Sequence, residues 1–247
     1  AFVATDYTCH PGMDMVNLQR YFIPNVQLTD DFTAYGIPRD RITATGIPVR
    51  QEFLTQVDKA EARVRLNIGG GSRHLVMMCG SMGCGPMPRI LKQIAPTLPK
   101  DAEVSVICGT NKRLYAILNH RYGANPKIHV IGYTDQVPLY MDSADLYLTK
   151  PGGISITEAA AKKLPMAFVN AVAGCEQYNM DFFINMGAAI TTDTPEALAV
   201  DSLGLLCSRK AKQDMKMALC KYHYQNGAKN IFHALNEELC VCNNQIS

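Results

Sequence analysis

The sequence predicts an α/β protein built on parallel β-sheets, and three observations support this fold class. From residue 74 onwards, short apolar stretches of strand length alternate with longer stretches of helical periodicity. Glycine turns mark several junctions between an apolar stretch and the helix that follows it. Of the 247 residues, 47% are hydrophobic, which is enough to bury a substantial core. Such alternation is typical of βαβ units with right-handed crossovers.

The first 45 residues predict a small part of a separate sheet. Strands are expected at 1–5, 20–23 and 41–44. A helix is expected at 29–35, and Gly36 ends it. Three strands this short bury little apolar surface, and the chain begins like the middle of a strand rather than like a secretory signal. We therefore expect residues 1–45 to be the remnant of a longer N-terminal domain.

Asp6 and His10 follow the first of these strands, at the end where open α/β sheets bind ligands. A neutral histidine at this point can bind an acceptor or move a proton, which makes His10 a candidate catalytic residue. The alternative is a histidine that only restrains the loop ahead of Pro11.

Glycine and proline interrupt the pattern after residue 45, so we assign residues 46–57 to a linker, 58–239 to a second domain and 240–247 to a tail. The alternation predicts that the second domain holds a complete doubly wound sheet. Its strands are expected at 74–79, 103–108, 127–131, 145–149, 165–170 and 187–191. Its helices are expected at 86–97, 111–121, 135–143, 154–163, 176–186 and 195–201.

The most informative stretch is 150–179, in which a Pro-Gly-Gly turn joins the strand at 145–149 to a helix. A helix N-terminus presents unpaired N–H groups, and the missing side chains of Gly152 and Gly153 allow a diphosphate to approach closely. Glu158 lies within the first helical turns, where its carboxylate can accept hydrogen bonds from a ribose diol. The alternative is a capping box from Ser155 to Glu158, in which the glutamate only starts the helix.

A second helix start at 174–177 offers Glu176 and Gln177 to the hydroxyl groups of a sugar. The glycine loop at 80–85 lacks the dinucleotide spacing, so no nicotinamide cofactor is expected. The loop still suits a phosphate or a sugar, with Ser81 and the Gly83 amide as donors. The loop at 132–134 has groups that can pair with the edge of a uracil, with Val137 on its face, or it is an ordinary βα loop.

The composition excludes several function classes. Charged residues make up 19% of the chain and the net charge is +2, so no nucleic-acid partner is expected. The nine cysteines are an odd number without regular spacing in loops, and two of them, Cys79 and Cys108, lie within predicted strands, which indicates reduced thiols in the cytosol. No apolar run approaches the ~20 residues of a membrane span. Cys240 and Cys242 are too close together and lack a partner pair, so no metal site is expected.

The region 209–239 predicts two amphipathic helices. In the second, apolar residues recur at helical spacing and predict a packing face, formed by Ala228, Ile231, Phe232, Leu235 and Leu239. The basic residues of the first helix are expected on a solvated face, with contact to anionic lipid as the alternative.

Taken in order, several motifs resemble the family of processive diacylglycerol glucosyltransferases and monogalactosyldiacylglycerol synthases, which is related to the enzyme that adds N-acetylglucosamine to lipid I. The resembling segments are 5–11, 21–24, 45–49, 106–112, 150–153 and 176–179, and they extend over nearly the whole chain. The resemblance implies a GT-B fold, with two Rossmann-like domains and an active site between them. Residues 58–239 then correspond to the complete C-terminal domain, and 1–45 to the last part of the N-terminal acceptor domain.

The resemblance also implies roles for individual residues. It assigns uracil contacts to Gly132, Tyr133 and Val137, and ribose contact to Glu158. It assigns diphosphate contacts to Ser81, Gly83, Gly152, Gly153, Ile154 and Ser155. It assigns sugar hydroxyls to Glu176 and Gln177, and places His10 on the acceptor side. There are two departures from the family pattern, in the glycine loop at 79–85 and at 173–177. The second shifts Gln177 relative to Glu176 and leaves the choice between glucose and galactose open.

The implied activity is transfer of a hexose from UDP-glucose or UDP-galactose to a lipid such as diacylglycerol, without a cofactor. The implied location is the cytoplasm, peripherally associated with the membrane. A UDP-sugar epimerase of the same fold and an inactive nucleotide-sugar-binding module are the alternatives. Because much of the acceptor domain is expected to lie outside this chain, we expect UDP-sugar binding with little or no transferase activity.

Overall fold

The computed structural model describes residues 1–171, 174–222 and 226–244. The strands are Phe2–Val3 (β1), Tyr21–Ile23 (β2), Ile42–Ala44 (β3), Arg73–Met78 (β4), Ala102–Ile107 (β5), Ile128–Ile131 (β6), Leu146–Thr149 (β7), Met166–Phe168 (β8) and Ala189–Thr191 (β9). The helices are Thr29–Ala34 (α1), Gln51–Leu54 (α2), Lys59–Leu66 (α3), Met87–Thr97 (α4), Lys112–Tyr122 (α5), Val137–Ser143 (α6), Gly153–Ala161 (α7), Cys175–Asn185 (α8), Pro195–Cys207 (α9), Arg209–Lys221 (α10) and Gly227–Asn244 (α11).

The larger sheet has six parallel strands in the order β6-β5-β4-β7-β8-β9. The chain starts in the middle at β4, builds outwards to β6, and then returns to the other side of β4 with β7. The strand order therefore reverses between β4 and β7, where Met77 pairs with Leu148 and Met78 with Thr149. In open α/β sheets this reversal opens a crevice at the carboxyl ends of the two strands. The predicted α/β fold class is confirmed.

The smaller sheet is also parallel and has the order β1-β2-β3. Its core is continuous with one side of the larger sheet, because buried residues of both regions belong to the same apolar cluster. Tyr7, in the loop after β1, is central to this contact. Its ring stacks on Phe182 at 4.5 Å and meets the edge of Phe183 at 5.0 Å, and its hydroxyl bonds Thr157 and Tyr222.

The C-terminal helix differs from the expected packing. Phe232 and Leu235 on α11 are 61% and 38% exposed, and Ala228 is exposed as well, so the predicted packing face is wrong at these three positions. Helical periodicity reports that one face is apolar, but it does not supply the surface that covers this face. The side chains of Leu239, Cys240 and Cys242 lie outside the described part of the chain. The helix itself continues to Asn244, past the expected start of the tail at 240.

Among the described residues, the helices are either too short or too polar to cross a membrane. The cysteines whose side chains are described are all free thiols.

Candidate functional site

Two loops face each other across the crevice between β4 and β7. Gly80 follows β4 with a φ of 74°, and a Cβ atom at this position would lie 3.1 Å from Cε of Lys150, which follows β7. A side chain at residue 80 would therefore press on the lysine, in a backbone conformation that already favours glycine. Glycine at this position leaves room for the side chain of Lys150 in this part of the crevice.

The N-terminus of α7 opens into the same region. Its N-cap is Gly152, and no side chain caps the helix. The first N–H groups of an α-helix have no acceptor within the helix, and the helix dipole adds a partial positive charge there. The turn that the sequence predicted to bind a diphosphate thus presents backbone donors at the strand reversal.

The capping box considered as the alternative for 155–158 does not form. The helix begins at Gly153, so Ser155 already lies inside the first turn instead of preceding it. The Ser155 hydroxyl hydrogen-bonds the Tyr147 hydroxyl at 3.0 Å. In a capping box the glutamate would accept from the amide of the capping serine, but Glu158 makes no side-chain hydrogen bond to a described residue, and its carboxylate does not cap the helix.

Glu158 is half-buried, and this burial raises its pKa to about 7, although the charge of Arg50 acts in the opposite direction. Burial disfavours the charged form of a carboxyl group when no donor compensates for the lost water. A carboxylate of this kind gains most from a ligand that brings hydroxyl donors to it. Such a group fits the predicted contact with a ribose diol.

The two glycines of the turn have different surroundings. A Cβ atom at Gly153 would lie 2.0 Å from the carbonyl oxygen of Thr5 and 2.8 Å from the Asp6 carboxylate. Gly153 is therefore required by backbone packing against the N-terminal segment. At Gly152 the nearest atom would be Cε of Lys150 at 3.9 Å, which leaves room on this side. Close approach of a diphosphate fits Gly152 better than Gly153.

Lys150 is a residue of this site that the sequence analysis did not single out. Its ammonium group lies 2.9 Å from the Glu176 carboxylate at the start of α8, and this hydrogen bond raises the pKa of Lys150. The sequence signal that could have found it is a cation directly after a buried strand. The pair places a positive charge between the turn at 150–153 and one predicted sugar-binding residue. The other, Gln177, donates to Asp181.

The glycine loop after β4 packs on the end of β5. A Cβ atom at Gly83, whose φ is 55°, would lie 2.1 Å from the Cys108 carbonyl oxygen. The amide of Gly83 donates to the Gly80 carbonyl at 3.1 Å. This contradicts the expectation that the Gly83 amide is free to bind a phosphate, since a tight turn uses it. Ser81 is exposed on the same loop, and its carbonyl accepts a bond from the Thr110 amide.

The loop expected to contact uracil follows β6, two strands away from β4. Neighbouring strands are ~4.8 Å apart, so this loop lies about 10 Å across the sheet from the strand reversal. That span suits a nucleoside whose phosphates bind at the reversal. Gly132 is half-buried and Tyr133 is 75% exposed, whereas Val137 is buried as the first residue of α6. Little of the Val137 side chain remains for a contact with a base.

On the other side of the crevice, the structure brings His10 to the N-terminus of α8. His10 Nδ1 lies 3.1 Å from Sγ of Cys175, and His10 Nε2 lies 3.4 Å from the Asp6 carboxylate. Asn179, fully buried on α8, donates to Asp6 at 2.7 Å and to the Pro151 carbonyl at 3.0 Å. An imidazole of the N-terminal segment thus lies next to the residue that precedes Glu176.

The described structure also contains a cavity of about 760 Å³ between the ends of β2 and β3 and helix α10. Its lining includes Pro24, Gly46, Met217 and Tyr222, and none of the predicted site residues. The candidate site is a crevice at the strand reversal, separate from this cavity.

Three solved structures show similar folds. Acinetobacter baumannii MurG superposes with a TM-score of 0.67 at 14% identity, covering 95% of this chain and 65% of the MurG chain. S. aureus MnaA bound to UDP superposes with a TM-score of 0.69 at 15% identity, covering 90% of this chain and 60% of the other. A UDP-N-acetylglucosamine 2-epimerase superposes with a TM-score of 0.62 at 18% identity, covering 85% of this chain and 54% of the other. At such identities the similarity establishes the fold alone, and the expected GT-B fold is confirmed.

Residues 74–231 match the profile of the family described as "Glycosyltransferase family 28 C-terminal domain", and residues 1–49 match "Monogalactosyldiacylglycerol (MGDG) synthase". A processive diacylglycerol beta-glucosyltransferase of Staphylococcus saprophyticus is 30% identical over 242 residues, which is 96% of this chain and 61% of that protein. The same enzyme of Staphylococcus epidermidis is 32% identical over 204 residues, 82% of this chain and 52% of that protein. The chain thus spans between half and two thirds of these relatives. Because the family profile covers well over half of the sequence, this chain belongs to glycosyltransferase family 28, through its C-terminal domain.

Proposed function

We propose that the chain is the donor-binding part of a UDP-dependent hexosyltransferase whose acceptor is a lipid of the diacylglycerol type. The observation that carries the proposal is the strand reversal, where the uncapped N-terminus of α7 lies beside the side chain of Lys150. The half-buried carboxyl group of Glu158 lies further along the same helix, about 9 Å from its N-cap at a rise of ~1.5 Å per residue. A nucleoside diphosphate has matching groups: its anionic diphosphate suits the helix N-terminus and the ammonium group of Lys150, and the vicinal diol of its ribose suits the carboxyl group. The relatives at about 30% identity, named as diacylglycerol glucosyltransferases, support the same choice of reaction.

The donor is proposed to lie along the carboxyl edge of the larger sheet. The uracil binds at Gly132 and Tyr133, the ribose at Glu158, and the diphosphate at the turn formed by Gly152 and Ile154. Ser81, Gly83, Gly153 and Ser155 contribute through the shape of the backbone around the phosphates. The hexose then lies near Glu176 and Gln177 at the start of α8.

In the proposed reaction, a hydroxyl oxygen of the acceptor attacks the anomeric carbon as the bond to the β-phosphate oxygen breaks. Negative charge develops on the departing UDP, and the α7 N-terminus and the Lys150 ammonium lie where they stabilise it. The proton of the acceptor hydroxyl must pass to a base. His10 is the proposed acceptor-side residue, since its imidazole lies beside the N-terminus of α8. The proposal requires no metal ion or organic cofactor.

The sugar of the donor, glucose or galactose, is left open by the departure at 173–177, where Ala173 lies outside the described residues. Because the proposed acceptor resides in a bilayer, the enzyme is proposed to act at the cytoplasmic face of a membrane as a peripheral protein. No further partner is proposed.

The first test is calorimetric titration of the chain with UDP. We expect binding, and we expect Glu158→Gln to weaken it about 10- to 100-fold, because hydrogen bonds to a charged group contribute ~1.5–3 kcal/mol. Glu61→Gln is the matched control, since Glu61 is an exposed helical glutamate that pairs with Arg65. A folded parent that does not bind UDP, or a Glu158→Gln variant with the parent's affinity, would overturn the site.

The second test separates reaction classes by the products formed from UDP-glucose and UDP-galactose. Release of UDP that depends on diacylglycerol vesicles supports the transferase. A second UDP-sugar formed without any acceptor assigns an epimerase, the activity for which one of the three similar structures is named. Because this chain alone is expected to have little or no transferase activity, the measurement is repeated with the chain joined to the remaining acceptor-domain sequence of a relative. UDP binding without either product in that longer protein identifies a donor-binding module.

A further inference from the structure

Three side chains with different metal-binding atoms meet at the junction of the loop after β1 and the N-terminus of α8. They are the carboxylate of Asp6, the imidazole of His10 and the thiol of Cys175, and one donor atom from each lies within 4.8 Å of the others. His10 and Cys175 are 165 residues apart in the sequence, so their spacing gives no metal-binding motif. The prediction of no metal site, made from the sequence, therefore did not consider this cluster.

Two of the three distances in the cluster can be compared with those of a tetrahedral site. His10 Nε2 lies 3.4 Å from Asp6 Oδ2 and 3.9 Å from Cys175 Sγ. Zinc bonds of about 2.0–2.3 Å at tetrahedral angles place neighbouring ligand atoms ~3.4–3.6 Å apart. The histidine and aspartate already satisfy this spacing. The thiol lies a few tenths of an ångström beyond this spacing from His10 Nε2, and within 4.8 Å of the Asp6 carboxylate, so it has to move towards both to bind the same ion.

The surroundings orient the carboxylate for a ligand. Asn179 donates to Oδ1 of Asp6 at 2.7 Å, which leaves Oδ2 directed to His10. Asn179 is itself fixed, because it is fully buried, donates to the Pro151 carbonyl and accepts from the amide of Tyr7 at 2.6 Å. Hydrogen bonds of this kind to a ligating group are a regular part of metal sites and contribute to their affinity.

We propose that Asp6, His10 and Cys175 bind a divalent cation of the zinc class, with the fourth coordination position open to solvent. Sulfur and imidazole ligands favour zinc and its neighbours among the transition metals, whereas magnesium and calcium prefer oxygen ligands throughout. The side chains of His10 and Asp6 are 34% and 24% exposed, so an ion reaches the site from solvent. The competing interpretation is a hydrogen-bonded chain in which the thiol donates to His10 Nδ1.

A bound ion would join two parts of the molecule that the chain connects only over a long distance. Asp6 and His10 belong to the small sheet's first loop, and Cys175 to the first turn of α8 beside Glu176. Metal binding therefore raises the midpoint of thermal unfolding, because the ion binds the folded arrangement and not the unfolded chain. Neither metal binding nor unfolding requires a sugar donor, so both can be measured apart from the proposed transferase activity. The ion occupies the imidazole that the proposed reaction uses on the acceptor side, so a metal-loaded chain is not expected to use His10 as a base.

The test is titration of the chain with Co²⁺, whose absorption reports both tetrahedral geometry and a bond to a thiolate. We expect one Co²⁺ per chain, a thiolate charge-transfer band, and displacement by Zn²⁺. Cys175→Ser should abolish the band and weaken Co²⁺ binding at least about tenfold, the lower end of the loss seen even for outer-shell changes. Cys84→Ser is the matched control, because Cys84 is an exposed free thiol in the glycine loop. This control should keep the parent's spectrum and affinity.

Cys240 and Cys242 are a second source of thiolate, so the titration is repeated with both changed to serine. The proposal requires the band to persist in this double variant. Asp6→Asn keeps an oxygen that accepts from Asn179, and it should also weaken Co²⁺ binding. This variant replaces Cys175→Ser as the test if Cys175→Ser fails to fold. Absence of the band in the parent, its loss with the tail cysteines, or unchanged binding by Cys175→Ser or Asp6→Asn would each overturn the proposal.

Discussion

The raised pKa of Glu158 is the property expected of a carboxyl group that binds a ligand through the hydroxyl groups of that ligand. Because its pKa is about 7, the carboxyl group of Glu158 changes from mostly neutral to mostly charged as the pH rises through the physiological range. The same residue in a capping box would be held by backbone N–H groups, and its pKa would lie low instead. The environment of the carboxyl group, more than its position in the sequence, distinguishes the two interpretations.

This pKa predicts that donor binding depends on pH. If only the carboxylate accepts from the ribose diol, lowering the pH from 8 to 6 should weaken binding up to about tenfold, because the charged fraction falls by that factor. UDP-glucose is the ligand for this measurement, since its diphosphate has no ionisation near neutrality. Calorimetry at pH 6, 7 and 8 should show the loss in the parent and a flat profile in Glu158→Gln. An equal slope in both proteins would contradict the assignment.

The two glycines at the start of α7 predict opposite phenotypes. Gly153→Ala should destabilise the fold by about 1–3 kcal/mol, the cost of overpacking, because its Cβ would lie 2.0 Å from the Thr5 carbonyl. Gly152→Ala has room and a φ of −76°, so its stability should match the parent while UDP binding weakens. Urea unfolding and calorimetry on both variants make the comparison. Loss of stability in Gly152→Ala, or none in Gly153→Ala, would contradict these packing arguments.

At the scale of elements, a buried polar network joins β4, β5 and α6. The ring of His74, on β4, is hydrogen-bonded at Nδ1 to Ser143 of α6 at 2.9 Å and at Nε2 to Ser105 of β5 at 2.8 Å. All three residues are fully buried. Burial, with the nearby charge of Arg63, lowers the pKa of His74 to about 3. The neutral ring therefore locks three elements together without an ion pair.

This network predicts a loss of stability in mild acid. The pKa of His74 is about 3 when folded and 6.5 when unfolded, so the unfolded chain binds one more proton between these values. The contribution of the neutral His74 ring to the free energy of unfolding is fully present above pH 6.5. It decreases by up to about 1.4 kcal/mol per pH unit as the pH falls towards 3. Urea unfolding at pH 7, 6 and 5 measures the slope. His74→Gln should be less stable at pH 7 but should show a shallower slope; an unchanged slope would refute the role of His74.

The helices and strands of the larger sheet were predicted well, because the period of their apolar residues changes clearly at each junction. The predicted strand at 74–79 is observed at Arg73–Met78, and the predicted helix at 154–163 at Gly153–Ala161. The predicted packing face of α11 was wrong at Ala228, Phe232 and Leu235, since helical periodicity does not identify the surface against which a helix packs. The local sequence pattern therefore predicted which elements form. It failed for the burial of a helix face, which depends on whether another part of the protein covers that face.

For the whole molecule, Tyr7 is a deeply buried aromatic side chain that the N-terminal segment contributes to the contact between the two sheets described above. Its side chain is 2% exposed, and its hydroxyl lies 2.8 Å from Thr157 Oγ1 and 2.6 Å from the Tyr222 hydroxyl. The residue comes from the loop after β1, whereas its partners belong to α7 and to the residue that follows α10. These contacts could not be anticipated from the sequence, because 150 and 215 residues separate the partners.

Tyr7→Phe is predicted to lower the free energy of unfolding by about 1–3 kcal/mol, because it removes two buried hydrogen bonds while keeping the ring. Tyr133→Phe is the matched control, since Tyr133 is largely exposed and should leave stability unchanged. Urea unfolding followed by circular dichroism provides the measurement. Equal stability of the two variants would show that the Tyr7 hydroxyl contributes nothing.

The candidate site was predictable as a set of positions but not as an arrangement. The turn at 150–153 and Glu158 come from one continuous stretch, and their chemistry could be deduced from local geometry. The Lys150–Glu176 pair, the use of the Gly83 amide within its own turn, and the meeting of Asp6 with Asn179 depend on the folded structure. Such contacts join residues that are far apart in the sequence, and no fixed spacing between the partners indicates them.

The position of Tyr7 also has a mechanical consequence. Any rotation about residues 46–57 that separates the small sheet from the large one has to withdraw this ring from its contacts with Phe182 and Phe183 and expose both to water. Separation of the two sheets also has to break the hydrogen bond from Asn179 to Asp6 and the contact between His10 and Cys175, so the Tyr7 ring supplies the apolar part of a contact that several side chains share. Because the Tyr7 hydroxyl bonds Thr157, next to Glu158, a ligand that shifts α7 would weaken or strengthen the contact between the two sheets.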